Sequence, residues 1–534
     1  MPTVCETAAS EAPHRAYNQT PFRTDYIYMS GKEFLYMAME KKHSMEDNHS
    51  MEEKNSTEEK MSTNLETNMA YLNKVIKADK NFDVIYRVIQ IGGKNACIYL
   101  IDGFCKDEMM QKLLQHFMDM TEDNMPENAH EMSKSFVPYV EVDLKDTWEE
   151  LLYSLMSGVF LLFVDGFDKC ILIDSRTYPA RGVEEPEKDK VLRGSKDGFV
   201  ETIVFNTALI RRRIRSTDLV MEMMHAGKSS KTDIVLCYMD NRVDHAFLEK
   251  IRDKIKNIQV DALTMNQESL AECLYDRRWY NPFPKFKFTE RPDTASAQVL
   301  EGNIIILVDN SPSVLIMPTS IFDVVEEADD YYFPPITGTY LRLSRFIIAI
   351  LTYLMTPTFL LLMEYPDLIP KGFEFIMVRD TVNIPLIWQF LILELAIDGL
   401  RLAAVNTPNM LSTPLSVMAA LVLGEFSVNS GWFNSEVMLY MAFVAIANYT
   451  QSSYELGYAL KFMRIINLIL TAIFGVWGYG AGILLAVVFM VTNRTVSNQS
   501  YIYPVVPFNA KQLAKRLFRL RLPGALDPVD KKGK

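Results

Sequence analysis

A single carboxylate stands in a long apolar stretch late in the chain, where TPLSVMAALVLGEFSVNSG at 413–431 contains Glu425. Met418, Leu421, Glu425 and Val428 recur at helical spacing and would share one face of a helix. Rings of acidic side chains select cations in pores. Several copies of this helix around an axis would form such a ring, with Leu421 and Val422 as an apolar gate. The stripe therefore predicts a cation pore; the alternative is that Glu425 ends a membrane span and meets bulk water.

A second polar stripe interrupts an earlier apolar stretch. Glu394 and Asp398 are four residues apart and Arg401 follows three residues later, so all three share one helical face. Charged side chains inside a bilayer are costly and normally face water or a partner. The stripe is therefore either functional or a structural salt bridge in which Arg401 neutralises Asp398. A further alternative is that this helix lies in the membrane interface and does not cross.

Arginine and glutamate residues are dense between positions 176 and 215, around glycine turns. An arginine cluster of this kind can bind an anion or can lock strands or subunits together through paired charges. The alternative is a solvated basic helix face, because RRRIR at 211–215 distributes arginines around a helix. The candidates for charge-paired contacts between or within soluble subunits are Arg181, Glu184, Arg193, Glu201, Arg211, Arg212 and Arg213.

These candidate groups lie in two different environments, because the N-terminal part of the sequence is polar and the C-terminal part is apolar. Residues 346–363 form a stretch of 18 residues without a charge. A helix of this length can cross a hydrocarbon layer roughly 30 Å thick. The basic residues that flank the apolar stretches agree with cytosolic N- and C-termini and an even number of crossings, four or six; among them are Arg342, Arg345, Lys461 and Arg464. GVWGYG at 475–480 is a tight turn or a broken helix. Candidate spans are 343–363, 384–404, 413–430, 435–450, 456–474 and 478–493.

The front is predicted to be an α/β soluble N-terminal region with two small subdomains, and the back an all-α multi-pass transmembrane domain. Strand-like runs flank Asp165-Gly166 and Asn310-Ser311-Pro312, which are hairpin signals. Residues 1–67 are an acidic, Met-rich extension that is too polar to bury a core, and we expect it to be disordered. After it we expect a first subdomain at 68–130, a second at 131–335, the transmembrane domain at 336–495 and a basic cytosolic tail at 496–534.

Composition and motifs exclude several classes of function. The net charge of −12 argues against nucleic acid as a partner. The sequence contains no motif of a nucleotide-binding loop, a zinc protease or a serine hydrolase. The six cysteines all precede residue 274, with spacings that fit neither a zinc site nor a disulfide framework, so we expect reduced thiols. We therefore expect no enzyme activity, no cofactor and no metal ion.

Motifs in both halves of the chain resemble one known family. The most specific ones are RGVEEP at 181–186, RGSKDGFVE at 193–201 and NTALIRRRIR at 206–215, followed by YLIDGF at 99–104, NPFP at 281–284 and TERPD at 289–293. This pattern closely resembles the spore germination GerA family, of the A-subunit type of germinant receptors. Three further segments look most like the stage V sporulation protein AF branch of that family: SEV at 435–437, SYEL at 453–456 and YPVVPFN at 503–509.

The resemblance implies a protein of the spore inner membrane that acts in nutrient-triggered germination. It implies a homo-oligomeric ring, or a channel-forming receptor subunit, that releases monovalent cations or amplifies the germination signal. Membrane lipid and other germination membrane proteins are the implied partners. We therefore expect an oligomeric cation channel. The alternatives are a non-conducting scaffold, a nutrient-sensing receptor subunit without a pore, and a carrier, which inverted repeats would favour.

Overall fold

The structure is a computed structural model of the 534-residue chain, and it describes residues 60–105, 107–177, 192–274, 280–406, 417, 421–497 and 499–519. The described residues form one compact unit. In this unit two antiparallel sheets, each covered by helices, are followed by a bundle of apolar helices. Most of the predicted N-terminal extension lies outside the described residues.

A first sheet of five antiparallel strands occupies residues 84–173. Its strands are β1 (Val84–Ile91), β2 (Lys94–Ile101), β3 (Val142–Lys145), β4 (Phe160–Val164) and β5 (Cys170–Ile173), and its helices are α1 (Leu65–Val75), α2 (Asp107–Met118), α3 (Ala129–Ser135) and α4 (Trp148–Met156). The strand order is β1-β2-β4-β5-β3. Strands β4 and β5 are wholly buried apolar runs because helices cover both faces of the sheet. The hairpin between them turns at Gly166 (φ +86°), as the Asp-Gly signal predicts.

A second sheet of five antiparallel strands occupies residues 219–317. Its strands are β6 (Leu219–Ala226), β7 (Thr232–Met239), β8 (Lys287–Thr289), β9 (Ile304–Val308) and β10 (Val314–Met317), and its helices are α5 (Ile203–Arg213), α6 (His245–Lys256), α7 (Asn266–Leu274) and α8 (Pro292–Leu300). The strand order is β6-β7-β9-β10-β8. Helices α6 and α7 cover one face, and α5 and α8 cover the other. The β9–β10 hairpin forms around Asn310 (φ +59°), where the sequence predicts it.

Two predicted boundaries differ from the structure. The first sheet runs across residue 130, where the sequence pattern placed a border between subdomains, because β2 pairs with β4 beyond it. Local periodicity cannot reveal a pairing between strands that are so far apart in sequence. Order also begins before residue 67, since Met61 and Leu65 are buried in the core of the first sheet.

The C-terminal part of the compact unit is a helix bundle. Two short helices, α9 (Ile321–Val325) and α10 (Asp329–Tyr332), lead into α11 (Pro335–Glu364), α12 (Leu386–Asn406), α13 (Ser435–Asn448), α14 (Tyr454–Thr492) and α15 (Ala510–Leu517). Before α13, a π-helical turn at Leu421–Phe426 passes into a short helical turn at Ser427–Asn429. Among the described helices, α11 and α14 are long and apolar enough to cross a membrane, and α13 is a shorter apolar helix. Of the predicted span at 413–430, residues 413–416 and 418–420 lie outside the described residues.

Helix α14 is two helical arms joined at a sharp turn, as GVWGYG predicts. Gly475 has φ +57° and ψ −133°, which is non-helical and is readily adopted only by glycine. The arms pack against each other as an antiparallel pair, because Met463 and Ala486 share one apolar cluster. Further along the contact, Gly482 lies directly against Asn467. The two predicted spans at 456–474 and 478–493 therefore form one helical hairpin.

A methyl group at position 482 is expected to destabilise this hairpin. The Cβ atom of an alanine there would lie 2.1 Å from Asn467 Oδ1, so Gly482→Ala should lower the free energy of unfolding by about 1–3 kcal/mol through overpacking. Gly480→Ala is the matched control, because nothing lies within 4 Å of a Cβ atom at position 480. Thermal unfolding of the full chain in detergent compares the two variants; equal effects would contradict the close helix contact.

The bundle has two distinguishable ends. At one end, which contacts the second sheet and its flanking helices, the Ser452 hydroxyl donates to the Val324 carbonyl and Asn493 Nδ2 donates to the Phe283 carbonyl at 3.5 Å. At the far end, Gln389 in the first turn of α12 donates a hydrogen bond from Nε2 to Asn434 Oδ1 at 2.8 Å. Gly475 lies there too, against Tyr365 at the end of α11.

Candidate functional site: buried ion pairs in the bundle and its junction

The predicted polar stripe on α12 forms part of a cluster of four charges, in which Glu394, Lys461 and Arg464 are buried and Asp398 is partly exposed. Arg464 of α14 donates from Nε to Glu394 Oε1 at 2.8 Å, and Lys461 Nζ lies 3.3 Å from Glu394 Oε2. Lys461 also pairs with Asp398. Arg464 Nη1 donates to the Thr352 carbonyl at 3.0 Å, which ties the cluster to α11. Two acids and two bases therefore neutralise each other inside the bundle, where unpaired charges would be costly.

Arg401 does not neutralise Asp398, in contrast to the salt bridge considered from the sequence. Its guanidinium carbon lies 4.9 Å from the ring centre of Tyr449 and 5.4 Å from that of Tyr458. These are cation–π contacts. Asp398 is instead neutralised by Lys461, which lies 63 positions further along the chain.

A second buried network joins the start of α11 to the segment before it, and we call it the junction network. Asp330 is fully buried, and its carboxylate accepts from Arg342 Nε at 3.1 Å and pairs with Arg345. Arg342 Nη2 lies 3.0 Å from Glu326 Oε1. The two arginines that sequence reasoning placed at the edge of a membrane span are therefore buried ion-pair partners.

The C-terminal helix α15 belongs to the same junction network. Arg516 pairs with Asp323 and lies 3.5 Å from Glu326 Oε2. Burial alone would lower the pKa of Arg516, but the charges of Asp323 and Glu326 more than offset it, so the pKa is raised. The predicted basic tail therefore contains a buried cation that ties α15 to α9 and to the base of α11.

The third buried pair links the two sheets. Arg211 on α5 is fully buried and lies 2.8 Å from Asp83, which directly precedes β1. Arg211 Nη1 also donates to the Leu219 carbonyl at 3.1 Å, at the start of β6. Arg211 is thus a charge-paired contact within one chain, which is one of the two arrangements that the sequence left open, and its lack of exposure keeps it from reaching another copy.

The other charged candidates of the front region occupy different positions. Arg213 pairs with Asp197, and Arg193, Glu201 and Arg212 are exposed. Burial would raise the pKa of Asp197, but hydrogen bonds from Arg213 and Ser195 more than offset it, so the pKa lies below 3.8. This pair adds stability above that pH, and the contribution is lost as the pH falls through the lower folded pKa. Arg181 and Glu184 lie outside the described residues.

The predicted pore stripe is only partly described. Leu421, Val422 and Glu425 belong to the π-helical turn, and Met418 lies outside the described residues. Glu425 is exposed and Val428 is half-buried. Within the described part of the chain no ion pair includes Glu425, in contrast to Glu394 and Asp398.

The cysteines and metal-binding residue types form no reactive site among the described residues. Cys97, Cys170 and Cys237 are buried free thiols, and burial raises the pKa of Cys97 and of Cys237 to about 12. Such thiols stay protonated and unreactive near neutral pH. No group of three His, Cys, Asp or Glu side chains in the described ranges is arranged to hold a metal ion.

Comparisons with known proteins cover almost the whole chain. The family model described as Bacillus/Clostridium GerA spore germination protein matches residues 70–526. Stage V sporulation protein AF of Bacillus subtilis (strain 168) is 36% identical over 465 residues, which are 86% of this chain and 94% of that protein. Spore germination protein KA of the same strain is 27% identical over 472 residues, which are 86% and 84% of the two chains. The crystal structure of the N-terminal domain of the A subunit of the Bacillus megaterium spore germinant receptor GerK3 covers 49% of this chain and 97% of that chain, at 31% identity and a TM-score of 0.39.

The chain belongs to the GerA family of spore germination proteins, because the family match extends over both the sheets and the bundle. The predicted resemblance to this family, and to stage V sporulation protein AF within it, is confirmed. The family relationship and the two long apolar helices together indicate a membrane protein. The two relatives compared above are named for sporulation or germination, and neither name is that of an enzyme.

Proposed function

We propose that several copies of this chain assemble in the spore inner membrane into a cation channel of the germination apparatus, with Glu425 facing the central axis. One observation carries the proposal. Glu425 is an exposed carboxylate on a π-helical turn, whereas Glu394 and Asp398 of the same bundle are paired inside the chain. Single π-helical turns are frequent at functional sites.

The energetics of a bilayer support an axial position for Glu425. An ionised carboxylate on the outer surface of an apolar bundle must meet water or a partner, because hydrocarbon cannot solvate it. A ring of such carboxylates around a water-filled axis satisfies this requirement and attracts monovalent cations. The apolar residues of the same turn, Leu421 and Val422, would form the gate.

The two ends of the bundle support a topology in which both termini lie on the cytosolic, spore-core side. The start of α11, the α13–α14 connection and the residues after α14 all lie at the end that contacts the second sheet. An even number of crossings returns the chain to that end. The basic residues of α15 follow at that end, which agrees with the preference of cytosolic segments for positive charge.

The junction network supports a role for the front region in gating. Arg342 and Arg345 fix the first turns of α11 to Glu326 and Asp330, so a movement of the sheets would be transmitted to a helix of the bundle. In the channel we propose, other germination membrane proteins bind the assembly and membrane lipid surrounds it. The soluble region then passes their signal to the gate.

Glu425→Gln is expected to reduce the rate of potassium efflux by about tenfold, because a neutral ring no longer concentrates cations at the pore. The measurement uses the purified full chain in lipid vesicles loaded with potassium chloride. Glu374→Gln is the matched control, since Glu374 is an exposed carboxylate in the α11–α12 connection, at the far end of the bundle. Its efflux should match that of the unmodified chain.

Two other results would point to other functions. No efflux from vesicles that contain the correctly assembled, unmodified chain would favour a scaffold or a receptor subunit without a pore. A carrier would be favoured if the rate of efflux reached a maximum as the solute concentration increased and was unchanged by both substitutions. Equal reductions by the two variants would reflect general surface charge and would remove the role of Glu425.

A further inference from the structure

Arg401 is a half-buried arginine near the end of α12 that is held by neutral partners. Its Nε donates to the Tyr449 hydroxyl at 3.4 Å, and the Tyr458 side chain is a second hydrogen-bond partner. The Asn448 side chain is assigned the orientation in which its amide oxygen accepts from Arg401 Nη2 at 3.2 Å and its nitrogen donates to the Gly457 carbonyl at 3.2 Å. The guanidinium is therefore fixed in place by groups that carry no charge.

Two bases on the adjoining helix differ from Arg401 in this respect. Lys461 and Arg464 of α14 pair with Asp398 and Glu394 of α12. Within the described residues no ion pair includes Arg401. A guanidinium has five N–H donors in a planar fork, which exceeds the three neutral acceptors around it. The charge of Arg401 and part of its fork thus remain for an anion from outside the described chain.

Arg401 lies toward the end of the bundle that contacts the second sheet. Helix α12 starts at the far end, where Gln389 bonds to Asn434, and Arg401 lies roughly 18 Å further along the helix axis. The α13–α14 connection, which begins at Tyr449, is bonded to the Val324 carbonyl beside the second sheet. In a bilayer this end of the bundle lies where the hydrocarbon meets the headgroups, a depth that tyrosine side chains favour.

The surface around Arg401 is exposed and apolar. Leu402 and Val405 on α12 and Ile446 on α13 are exposed, and so is the Tyr449 ring. On a membrane protein, exposed apolar side chains beside the end of a helix contact lipid tails. The headgroups of those lipids then lie next to the Arg401 guanidinium.

We infer that Arg401, with Tyr449 and Tyr458, binds the phosphate group of an anionic lipid headgroup in the leaflet on the side of the sheets. The planar fork of arginine matches two oxygens of one phosphate. The Tyr449 hydroxyl accepts from Arg401 Nε, so its own proton can be donated to a phosphate oxygen. The acyl chains of the same lipid would cover Leu402 and Val405.

The surroundings favour a lipid over a free phosphate ion. A free ion would gain only the polar contacts, whereas a lipid also buries apolar surface against the side chains beside Arg401. Anionic headgroups attract each arginine near a membrane surface by about 1 kcal/mol. The inference depends on the membrane location of the bundle and not on conduction, so it is independent of the axial pathway proposed for Glu425.

Arg401→Gln tests the site, because glutamine removes the charge and the planar fork but keeps a polar side chain. Native mass spectrometry of the full chain in detergent measures the concentration of phosphatidylglycerol that gives half-occupancy by a first bound lipid. This concentration should rise about tenfold in the variant. Arg401→Lys retains the charge without the fork, so its rise should be smaller.

Arg379→Gln is the matched control, since Arg379 is an exposed arginine in the α11–α12 connection at the far end of the bundle. It removes the same charge, and its half-occupancy concentration should equal that of the unmodified chain. Tyr449→Phe is a milder test that keeps the ring contact with Arg401 and removes only the hydroxyl. It should weaken lipid binding by about threefold.

The phosphate group and its source are separated by two further probes. Diacylglycerol with the same acyl chains lacks the phosphate, so Arg401→Gln should not change its binding; an equal loss would assign the contact to the chains and overturn the inference. Inorganic phosphate in excess should not displace the lipid, and displacement would overturn the assignment to a lipid.

Two other results would also overturn the inference. One is an equal half-occupancy concentration of phosphatidylglycerol for the unmodified chain and Arg401→Gln. The other is unchanged lipid binding together with a loss of oligomers in Arg401→Gln, which the same spectra would record. That result would show that Arg401 contacts a neighbouring copy instead of a headgroup.

Discussion

Arg211→Met is expected to lower the free energy of unfolding by about 4 kcal/mol, the larger of the two strongest effects that we predict. The substitution leaves the Asp83 carboxylate buried without its cation, and breaking a buried ion pair from one side typically costs 3–5 kcal/mol. It also removes the donor to the Leu219 carbonyl. Because Asp83 precedes the first sheet and Arg211 precedes the second, both sheets should be affected. Urea unfolding of the full chain in detergent, followed by circular dichroism, measures the loss.

Two variants make this prediction specific. Arg212→Met changes the exposed neighbour on the same helix, and surface substitutions usually alter stability by about 0.5 kcal/mol or less. The double variant Asp83→Leu/Arg211→Met removes both charges and should recover most of the lost stability, because no uncompensated charge remains. If Arg211→Met and Arg212→Met lowered the free energy of unfolding by equally small amounts, the ion pair between the sheets would not contribute to stability as proposed.

Arg464→Leu is expected to destabilise the helix bundle by about 3 kcal/mol. It leaves Glu394 with only Lys461, which is shared with Asp398, so a net negative charge remains in the bundle. It also removes the bond to the Thr352 carbonyl on α11. The measurement is the fraction of full chain that remains monodisperse on gel filtration after heating in detergent.

The control for this effect is Arg401→Leu, which removes a positive charge from the neighbouring helix without breaking a described ion pair. Its contacts with Tyr449 and Tyr458 are cation–π interactions, worth about 0.5–1 kcal/mol each at such partly exposed positions. Exchanging the two charges, in the double variant Glu394→Arg/Arg464→Glu, should restore part of the loss. Equal losses from Arg401→Leu and Arg464→Leu, or no restoration, would contradict the assigned pairing.

Local features of the fold could be predicted from the sequence because local chemistry determines them. Asp165-Gly166 and Asn310 supply the backbone conformations that hairpin turns require, and both hairpins form where these residues predict them. Gly475 likewise marks the turn of the α14 hairpin. In each case one short segment carries both the turn residue and the apolar runs that pair beside it.

The buried ion pairs could not be predicted, because their partners are far apart in sequence. Arg211 and Asp83 are 128 positions apart, and Arg464 and Glu394 are 70 positions apart. RRRIR has the pattern of a solvated face, yet its first arginine, Arg211, is one of the two largest fully buried side chains among the described residues. One local feature does indicate such a pair. Asp83 is an acid between Phe82 and the apolar start of β1, and a charge at such a position needs a buried partner.

The basic residues near the spans show the same limit. Their positions beside the apolar stretches predict that Arg342, Lys461 and Arg464 are flanking charges that indicate topology, and nothing in the local sequence favours burial. The structure pairs each of them with an acid from another helix or connecting segment. Helical spacing predicts which residues share a face, but it does not predict which neighbouring helix covers that face.

Single-particle cryo-microscopy of the full chain, extracted gently from membranes, tests the central proposal most directly. A closed ring of copies around an open axis, with the Glu425 carboxylates directed toward that axis, is the predicted result. A monomer, or an assembly in which Glu425 faces lipid or bulk solvent away from any axis, would contradict the proposed channel.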